Sequence, residues 1–158
     1  QKVALKLIET IKKDKTFPLK HKVFPMWTGN SFHVYLLLDK PISHKFYEKY
    51  IHVDVNNQQE SFTGRWALKI NKELKDVNVI ASHEKKKGFI NIDPSQSVSG
   101  KIARSPFSLY VKSYSAPKGI AIPLKIEDLK DKNLIKELRS YTIEKVIKNI
   151  NSLAKKLP

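Results

Sequence analysis

The sequence predicts an α+β fold, in which helices flank a mixed or antiparallel sheet of about five strands. Three observations predict it. Apolar residues recur at helical spacing near both ends of the chain, several segments between them alternate apolar and polar residues, and no internal repeat is present. At 158 residues the chain has the length of one domain. We therefore expect a single domain over residues 1–158, with residues 126–158 as a C-terminal helical segment.

Several segments carry apolar residues at helical spacing. Residues 2–13 predict a first helix, and Ser43 can cap a short helix that ends at Tyr50. Residues 126–138 and 141–153 predict two helices at the end of the chain. A further amphipathic helix is predicted where apolar residues recur every four positions, with Gly64 tolerated inside it at some cost: Phe62, Trp66, Ile70 and Leu74.

Alternation of apolar and polar residues predicts the strands. Residues 31–38 form the clearest one, directly after a turn signal at residues 28–30. Its second face is only partly polar, which predicts a place in the middle of the sheet. Residues 17–27 contain Pro18 and Pro25 and therefore predict irregular chain or an edge strand.

Two further strand pairs are predicted later in the chain. Residues 77–81 and 88–92 alternate around a run of charged residues, which predicts a hairpin with a charged tip. Residues 107–114 and 120–124 read as two strands joined by a turn. The segment at residues 52–56 is compatible with either strand or loop.

The charge is strongly positive and unevenly distributed. Lys and Arg number 30 against 15 Asp and Glu, which gives a formal net charge of +15. Residues 54–80 carry four bases and four acids, whereas residues 94–126 carry five bases and no acid. A surface of one sign suits a phosphate backbone or a triphosphate. A lysine-rich surface suits a heat-adapted cytosol equally well, so composition alone leaves both interpretations open.

Several classes of protein and site are excluded. No apolar run approaches the roughly 18 residues of a membrane span, and no signal peptide opens the sequence, so we expect a cytoplasmic protein without membrane contact. The absence of Cys excludes thiolate zinc sites and iron–sulfur clusters. No P-loop, dinucleotide fingerprint, HExxH or GxSxG motif occurs.

A few polar residues are candidates for binding. His33 and Asp93 lie at ends of predicted strands, and Asp93 beside serine and glutamine could hold Mg²⁺ through oxygen. The alternatives are a hydrogen-bonded sheet histidine and a turn-opening aspartate. His52 and Asp54 share a strand face but form at best a weak metal site. In the serine-rich, acid-free loop, Lys101 and Arg104 are candidates for phosphate contacts.

The remaining candidates are lysines. The charged segment after residue 82 is either a solvated tip or a nucleic-acid contact, and the acid-free stretch contributes two more positions. The candidate nucleic-acid-binding residues are Lys85, Lys86, Lys87, Lys112 and Lys118.

Three segments together resemble motifs of the archaeal–eukaryotic primase superfamily. They are PMWTGNSFHVYLLLDKPIS at residues 25–43, GFINIDPSQ at residues 88–96, and KIARSPFSLYVKS with GIAIPL within residues 101–124. The family includes the primase small subunit and the polymerase domain of bacterial end-joining ligases. The order and spacing of the three segments agree with the family. The resemblance implies a primase-like fold related to the RNA-recognition fold.

The resemblance also implies roles for individual residues. The family's turn and histidine contact the triphosphate of the incoming nucleotide, and further polar and basic residues reach its phosphates. Asp93 corresponds to the acid that completes the family's metal site, here a weak or vestigial position for Mg²⁺ or Mn²⁺ accompanying a nucleotide. The positions that correspond to phosphate contacts are Thr28, Gly29, Asn30, His33, Gln96, Lys101 and Arg104.

The chain also departs from the family pattern. The family's first motif is a pair of acids one residue apart, upstream of the first helix, and no Asp-x-Asp or Glu-x-Glu occurs here. Ser31 replaces the usual glycine, and Tyr110 and Lys112 stand where a basic pair is usual. With one acid, two-metal nucleotidyl transfer should fail. Either a catalytic acidic motif precedes Gln1, or catalysis has been lost and binding kept.

We favour the second interpretation. The chain is then similar to the extra non-catalytic subunit of some archaeal DNA primases and is not catalytic alone. Its expected partners are the catalytic and large primase subunits, single-stranded or primer–template DNA, and a nucleoside triphosphate. The large subunit would supply any iron–sulfur cluster, and no zinc is expected. The competing interpretations are a fragment of a catalytic primase-polymerase, an assembly subunit, and a nucleic-acid-binding module unrelated to primases.

Overall fold

The computed structural model describes residues 1–54, 56–95, 102–111 and 116–158. The chain divides into two compact units. Unit 1 consists of residues 1–5, 20–38 and 104–158, and unit 2 of residues 6–19 and 39–103. Unit 2 is therefore built largely from chain that lies between two parts of unit 1.

Helices and strands occur in both units. The α-helices are α1 (Lys2–Lys13), α2 (His44–Phe46), α3 (Phe62–Glu73), α4 (Leu134–Arg139) and α5 (Ile143–Ala154). The strands are β1 (His21–Thr28), β2 (Phe32–Leu38), β3 (Val79–Ala81), β4 (Ile90–Ile92), β5 (Leu109–Tyr110) and β6 (Gly119–Pro123). A π-helical turn spans Tyr47–Ile51, and 3₁₀ turns span Gln58–Glu60 and Glu127–Lys130. The helices formed by the described residues include none with the length and apolar character needed to cross a bilayer.

Unit 1 is organised around a four-stranded sheet in the order β2-β1-β6-β5. Every pairing in it is antiparallel, which confirms the α+β class and an antiparallel sheet flanked by helices. Met26 is fully buried in the sheet and packs with Phe24 and Ala121, against which Tyr35 also packs. The apolar centre of this sheet therefore lies where β1 meets β6.

The positions of the first two strands differ from the sequence-based expectation. β1 lies inside the sheet although it contains Pro25, and β2 lies at one edge of the strands that the structure describes. The backbone of Pro25 faces Leu124, just beyond the end of β6, because the Pro25 carbonyl accepts a hydrogen bond from Leu124 N at 3.1 Å. The missing N–H of Pro25 therefore falls where the ladder with β6 ends.

The C-terminal part of the chain is helical, as predicted, but residues 126–138 do not form one helix. A 3₁₀ turn over Glu127–Lys130 is separated from α4, because the backbone N–H of Asn133 bonds to the Asp131 carboxylate at 2.8 Å and opens a new turn. α5 agrees with the prediction. Thr142 caps it by accepting a hydrogen bond from Lys145 N at 3.2 Å.

Unit 2 contains two of the predicted helices, the short helix that begins after Ser43 and the amphipathic helix that contains Gly64. Ser43 caps the short helix α2 by accepting from Phe46 N at 3.3 Å, and the helix continues as the π-helical turn. Ser61 caps α3 by accepting from Gly64 N at 3.0 Å. Gly64 itself is required because a Cβ there would collide with the backbone of Gln58. The glycine inside α3 thus permits a close approach between the helix and the preceding turn.

An aromatic cluster with one polar anchor forms the core of unit 2. Phe17 packs edge-on against Phe62 and Trp66 with ring centroids 4.9 and 5.5 Å away. The indole N–H of Trp66 donates to the Asp14 carboxylate at 2.8 Å. This hydrogen bond satisfies the polar atom of an otherwise buried side chain and ties residue 14 to α3.

The predicted hairpin of residues 77–92 is wrong. β3 and β4 pair in parallel, with Ile80 opposite Asn91. The chain between the strands folds back, helped by Gly88 with φ +81° and by Asn91 Nδ2, which donates to the carbonyls of Ser82 and Glu84. Alternation of residues predicts that a segment is a strand but not the direction of its partner, so the sequence did not distinguish the two arrangements.

We expect Gly119→Ala to destabilise unit 1 by about 1–3 kcal/mol, because its Cβ would collide with the backbone of Gly29, which cannot rotate away. Gly88→Ala is the control. Gly88 has φ +81° but open space around its Cβ position, so only backbone strain of about 1 kcal/mol is expected. Urea unfolding followed by circular dichroism measures both. An equal or smaller loss for Gly119→Ala would contradict the tight backbone contact.

We expect Asp14→Ala to lower the free energy of unfolding by about 1 kcal/mol at pH 7. Burial raises the pKa of Asp14, but hydrogen bonds from Thr16 and Trp66 outweigh it, so the pKa lies below the usual 3.8. A depressed folded-state pKa means that this stabilisation is present at neutral pH and is lost as the pH falls through that value.

The difference between wild type and Asp14→Ala should therefore shrink in acid. Thermal unfolding at pH 7, 5 and 3 measures it, with Asp39→Ala at an exposed position as the control. A difference that stays constant down to pH 3 would show that the charge on Asp14 contributes nothing.

Candidate functional site

The turn between β1 and β2 is a tight hairpin loop. Gly29 and Asn30 are the two central residues of the turn. Gly29 has φ +91°, so the turn belongs to the two-residue hairpin types in which glycine is favoured at the first central position. Thr28 N donates to Ser31 O at 2.8 Å, and the Thr28 hydroxyl donates to the same carbonyl at 2.9 Å. The predicted turn at residues 28–30 is confirmed.

The backbone N–H groups of this turn are available to bind an anion. Those of Gly29, Asn30 and Ser31 take part in no hydrogen bond within the parts of the chain that the structure describes. Asn30 and Ser31 are exposed, and Gly29 is half-buried. Successive unpaired N–H groups in a turn form a concave surface with positive potential, which is suited to an anion.

Two glycines hold the turn against the rest of the sheet. A Cβ on Gly29 would lie 2.6 Å from Tyr110 Cβ and 3.1 Å from the carbonyl carbon of Gly119. A Cβ on Gly119 would meet the Gly29 backbone in return. The backbone of the turn therefore contacts the start of β6 and the end of β5, and its position is set by main-chain packing and not by flexible side chains.

The structure brings His33 and Arg104 together through a tyrosine. The Tyr35 hydroxyl donates to the Arg104 carbonyl at 3.0 Å and lies 3.5 Å from His33 Nδ1. In β2, His33 and Tyr35 are two residues apart and share a face of the sheet. Two positions predicted separately from different motifs thus belong to one hydrogen-bonded cluster in unit 1.

The register places the turn on the same side of the sheet as this cluster. His33 lies opposite Met26, and Thr28 lies two residues further along β1. Cross-strand partners in an antiparallel pair share a face, and so do residues two apart on one strand. Thr28, His33 and Tyr35 therefore project from one face.

The Arg104 guanidinium is held from two sides. Nη1 donates to the Leu109 carbonyl at 3.1 Å, and the guanidinium carbon lies 5.5 Å from the centre of the Tyr110 ring. No carboxylate in the described part of the chain lies within ion-pair distance of it. Burial raises the pKa of Tyr35, and the positive charge of Arg104 opposes the shift. The guanidinium is therefore held in one orientation, and no carboxylate among the described residues neutralises its charge. Both properties favour the binding of an anion.

The loop after Arg104 carries backbone strain. Phe107 has φ +64°, which is costly for a residue with a side chain. Its N–H donates to the Ala121 carbonyl at 2.8 Å, and the Ser108 hydroxyl donates to the Ser105 carbonyl at 2.7 Å. These bonds keep the loop against β6 in spite of the strain, and so fix where the chain leaves Arg104.

The other metal and nucleic-acid candidates with described positions lie mainly in unit 2. The Asp93 carboxylate accepts from Ser95 N at 2.9 Å, which is the geometry of the turn-opening alternative. Asp54 likewise accepts from Asn56 N at 2.8 Å and lies outside any strand. Across the described ranges, no three His, Asp or Glu side chains are grouped so that they could hold a metal ion.

The predicted lysine positions are distributed over both units. Lys85, Lys86 and Lys87 are exposed in unit 2, and Lys86 Nζ lies 4.5 Å from the centre of the Phe89 ring. Lys118 is exposed in unit 1, and its backbone N–H bonds to the Tyr110 carbonyl at 2.8 Å. The predicted positions Gln96, Lys101 and Lys112 lie outside the described residues.

Sequence reasoning missed Tyr35 and the contact between Arg104 and Tyr110. A signal for Tyr35 was present, because residue i+2 on a strand shares the face of residue i, and His33 was already a candidate. The contact of Arg104 with Tyr110 carries no local signal, since the loop reverses between them. The cluster is therefore larger than its predicted members.

We expect Tyr35→Phe to cost about 1 kcal/mol of stability, because it removes the hydrogen bond that holds the Arg104 carbonyl and leaves that acceptor without its partner. Tyr50→Phe is the control, since the Tyr50 hydroxyl makes no hydrogen bond within the described chain. Amide hydrogen exchange at residues 104–110 should accelerate in the first variant alone. Unchanged exchange there would mean that Tyr35 does not hold the loop.

Comparisons with known proteins do not identify this site. No protein-family model, curated protein or solved structure matches the chain. The primase resemblance therefore depends on the three sequence segments alone.

Proposed function

We propose that the chain is a non-catalytic subunit of a DNA primase complex with a primase-like fold, which binds an initiating nucleoside triphosphate and template DNA. The observation that carries the proposal is the cluster on one face of the unit 1 sheet. There the Tyr35 hydroxyl contacts His33 and the Arg104 carbonyl, and Thr28 of the Thr28–Ser31 turn projects from the same face. The turn and His33 belong to one primase-like segment and Arg104 to another.

The chemistry of the cluster suits a triphosphate. The unpaired N–H groups of the turn can donate to an anion, and the imidazole of His33 can donate to a phosphate oxygen. An oriented guanidinium can bind phosphate through two parallel hydrogen bonds. The rigid base of the site is the β1–β6 pairing and its glycine contact. Ligand groups held by a packed sheet lose little conformational freedom on binding, which favours affinity.

The same cluster argues against nucleotidyl transfer by this chain alone. Two-metal phosphoryl transfer needs several carboxylates, because two dications a few ångströms apart must be neutralised. The cluster residues Thr28, Ser31, His33, Tyr35, Arg104 and Tyr110 include none. The proposed mechanism is therefore binding without hydrolysis: the chain holds the first nucleotide on the template, and the catalytic subunit forms the bond.

We expect Arg104→Ala and His33→Ala each to weaken binding of a fluorescent nucleoside triphosphate by at least about tenfold, since each removes a charged or polar phosphate contact. Arg139→Ala is the matched control, because it removes the same charge from the exposed end of α4. Fluorescence anisotropy measures the three affinities. Equal affinities for all three variants and wild type would contradict the site.

Primer synthesis tests the function itself. The chain is assayed on a single-stranded template with labelled nucleotides, first alone and then with a catalytic primase core that lacks it. We expect no product from the chain alone and stimulated initiation in the mixture, reduced by Arg104→Ala. Product from the chain alone would favour the enzyme interpretation, and an unstimulated mixture would remove the accessory-subunit proposal.

A further inference from the structure

Helix α3 in unit 2 presents a basic stripe along one side. Arg65, Lys69 and Lys72 follow each other at i, i+4 and i+7, the spacing that stacks residues on one helix face. All three are exposed. The opposite side of α3 is its core side and includes the buried Trp66 and Ile70. The three cations therefore lie together in solvent.

The stripe borders a shallow groove. The groove has a volume of about 620 Å³. It is lined by the three cations together with Gln59, Leu68 and Glu73. The Arg65 guanidinium lies 4.1 Å from the centre of the Phe62 ring, which restrains its orientation. The groove thus offers the Gln59 amide, the half-buried Leu68 side chain, one oriented guanidinium and two ammonium groups, together with the Glu73 carboxylate.

The acids closest to the stripe are already engaged. Glu73 forms an ion pair with Lys6, and Asp14 accepts from Thr16 and from the indole of Trp66. Within the described ranges, no ion pair involves Arg65, Lys69 or Lys72. Asp14 and Glu73 interact electrostatically with Arg65 and Lys69, respectively. Each of these carboxylates also has another hydrogen-bond or ion-pair partner, so three cations share two engaged acids and the stripe keeps an excess of positive charge.

The length of the stripe fits a nucleic-acid backbone. Seven residues of α-helix span about 10 Å. Three cations spread over this length can contact neighbouring phosphates of one strand. A row of three cations beside a groove can follow one strand, whereas a single phosphate would use only part of it.

We propose that the α3 stripe and its groove bind the phosphate backbone of a nucleic-acid strand, the template of the proposed function, on which this inference rests. None of these residues was among the sequence-based candidates. Residues 54–80 are balanced in charge, but helix α3 gathers three of their four cations on one side, where the one acid that lines the groove, Glu73, pairs with Lys6. Unit 2 thus provides a strand contact, and unit 1 provides the triphosphate site.

The test uses the full chain with three glutamine substitutions, Arg65→Gln, Lys69→Gln and Lys72→Gln. Glutamine keeps part of the aliphatic stem and has a similar helix propensity, so α3 should remain folded, which circular dichroism would check. The matched control carries Lys130→Gln, Lys136→Gln and Arg139→Gln, which removes the same charges from exposed positions in unit 1. Binding of labelled single-stranded DNA is measured by anisotropy at several salt concentrations.

We expect the α3 variant to lose at least about tenfold in affinity, and its slope of log affinity against log salt to fall by about two, since each lost contact to a single strand removes about 0.7. The control should keep most of its affinity. Equal behaviour of the two variants would overturn the inference, and so would the absence of DNA binding by wild type. Equal behaviour of the two variants would overturn the α3 site alone and leave DNA binding and triphosphate binding by the chain intact. Absence of DNA binding by wild type would also overturn the template-binding part of the proposed function, whereas triphosphate binding through Arg104 would still be tested separately.

Binding of the same variants to vesicles that contain anionic lipid is measured for comparison. We expect the α3 substitutions to reduce DNA binding more than vesicle binding. Loss of vesicle binding with unchanged DNA binding would assign the stripe to a membrane surface and overturn the inference.

Discussion

The pairing of β1 with β6 is the interaction on which the candidate site depends. It joins residues 26–28 to residues 121–123, which lie far apart in the sequence. That pairing brings Gly29 against Gly119 and places the β1–β2 turn beside Tyr110. Buried Met26 and Ala121 pack at the same place. Without this pairing the turn and the Arg104 loop would have no common support, and the cluster around Tyr35 would not form.

Much of the fold could be predicted from local patterns. α1, α3 and α5 follow from apolar residues at helical spacing, and β2 follows from alternation. Strand partners could not be predicted in the same way, because pairing depends on residues distant in the sequence. The parallel pairing of β3 with β4 and the interior place of β1 are both consequences of tertiary hydrogen bonds, such as that from Leu124 N to Pro25 O.

The sequence predicts several residues of the candidate site but not the contacts that join them. His33 and the Thr28 turn stood out as polar residues at the start of a strand, and Arg104 as a base in an acid-free loop. The meeting of His33 and Arg104 through Tyr35 follows from three-dimensional packing alone. The same reason explains the α3 stripe. Counting charges along residues 54–80 gives balance, whereas the helix places Arg65, Lys69 and Lys72 on one side, where the neighbouring carboxylate of Glu73 forms an ion pair with Lys6.

The division of the chain has a consequence for the order of folding. Most of unit 2 lies between the two long segments of unit 1 in the sequence. The β1–β2 hairpin can form early because its contacts are local, but β6 joins it only after a loop of some eighty intervening residues has closed. Contacts of such high sequence separation slow folding. During synthesis from the N-terminus, all of unit 2 is made before β6, so its folding can shorten the loop that the β1–β6 pairing must close.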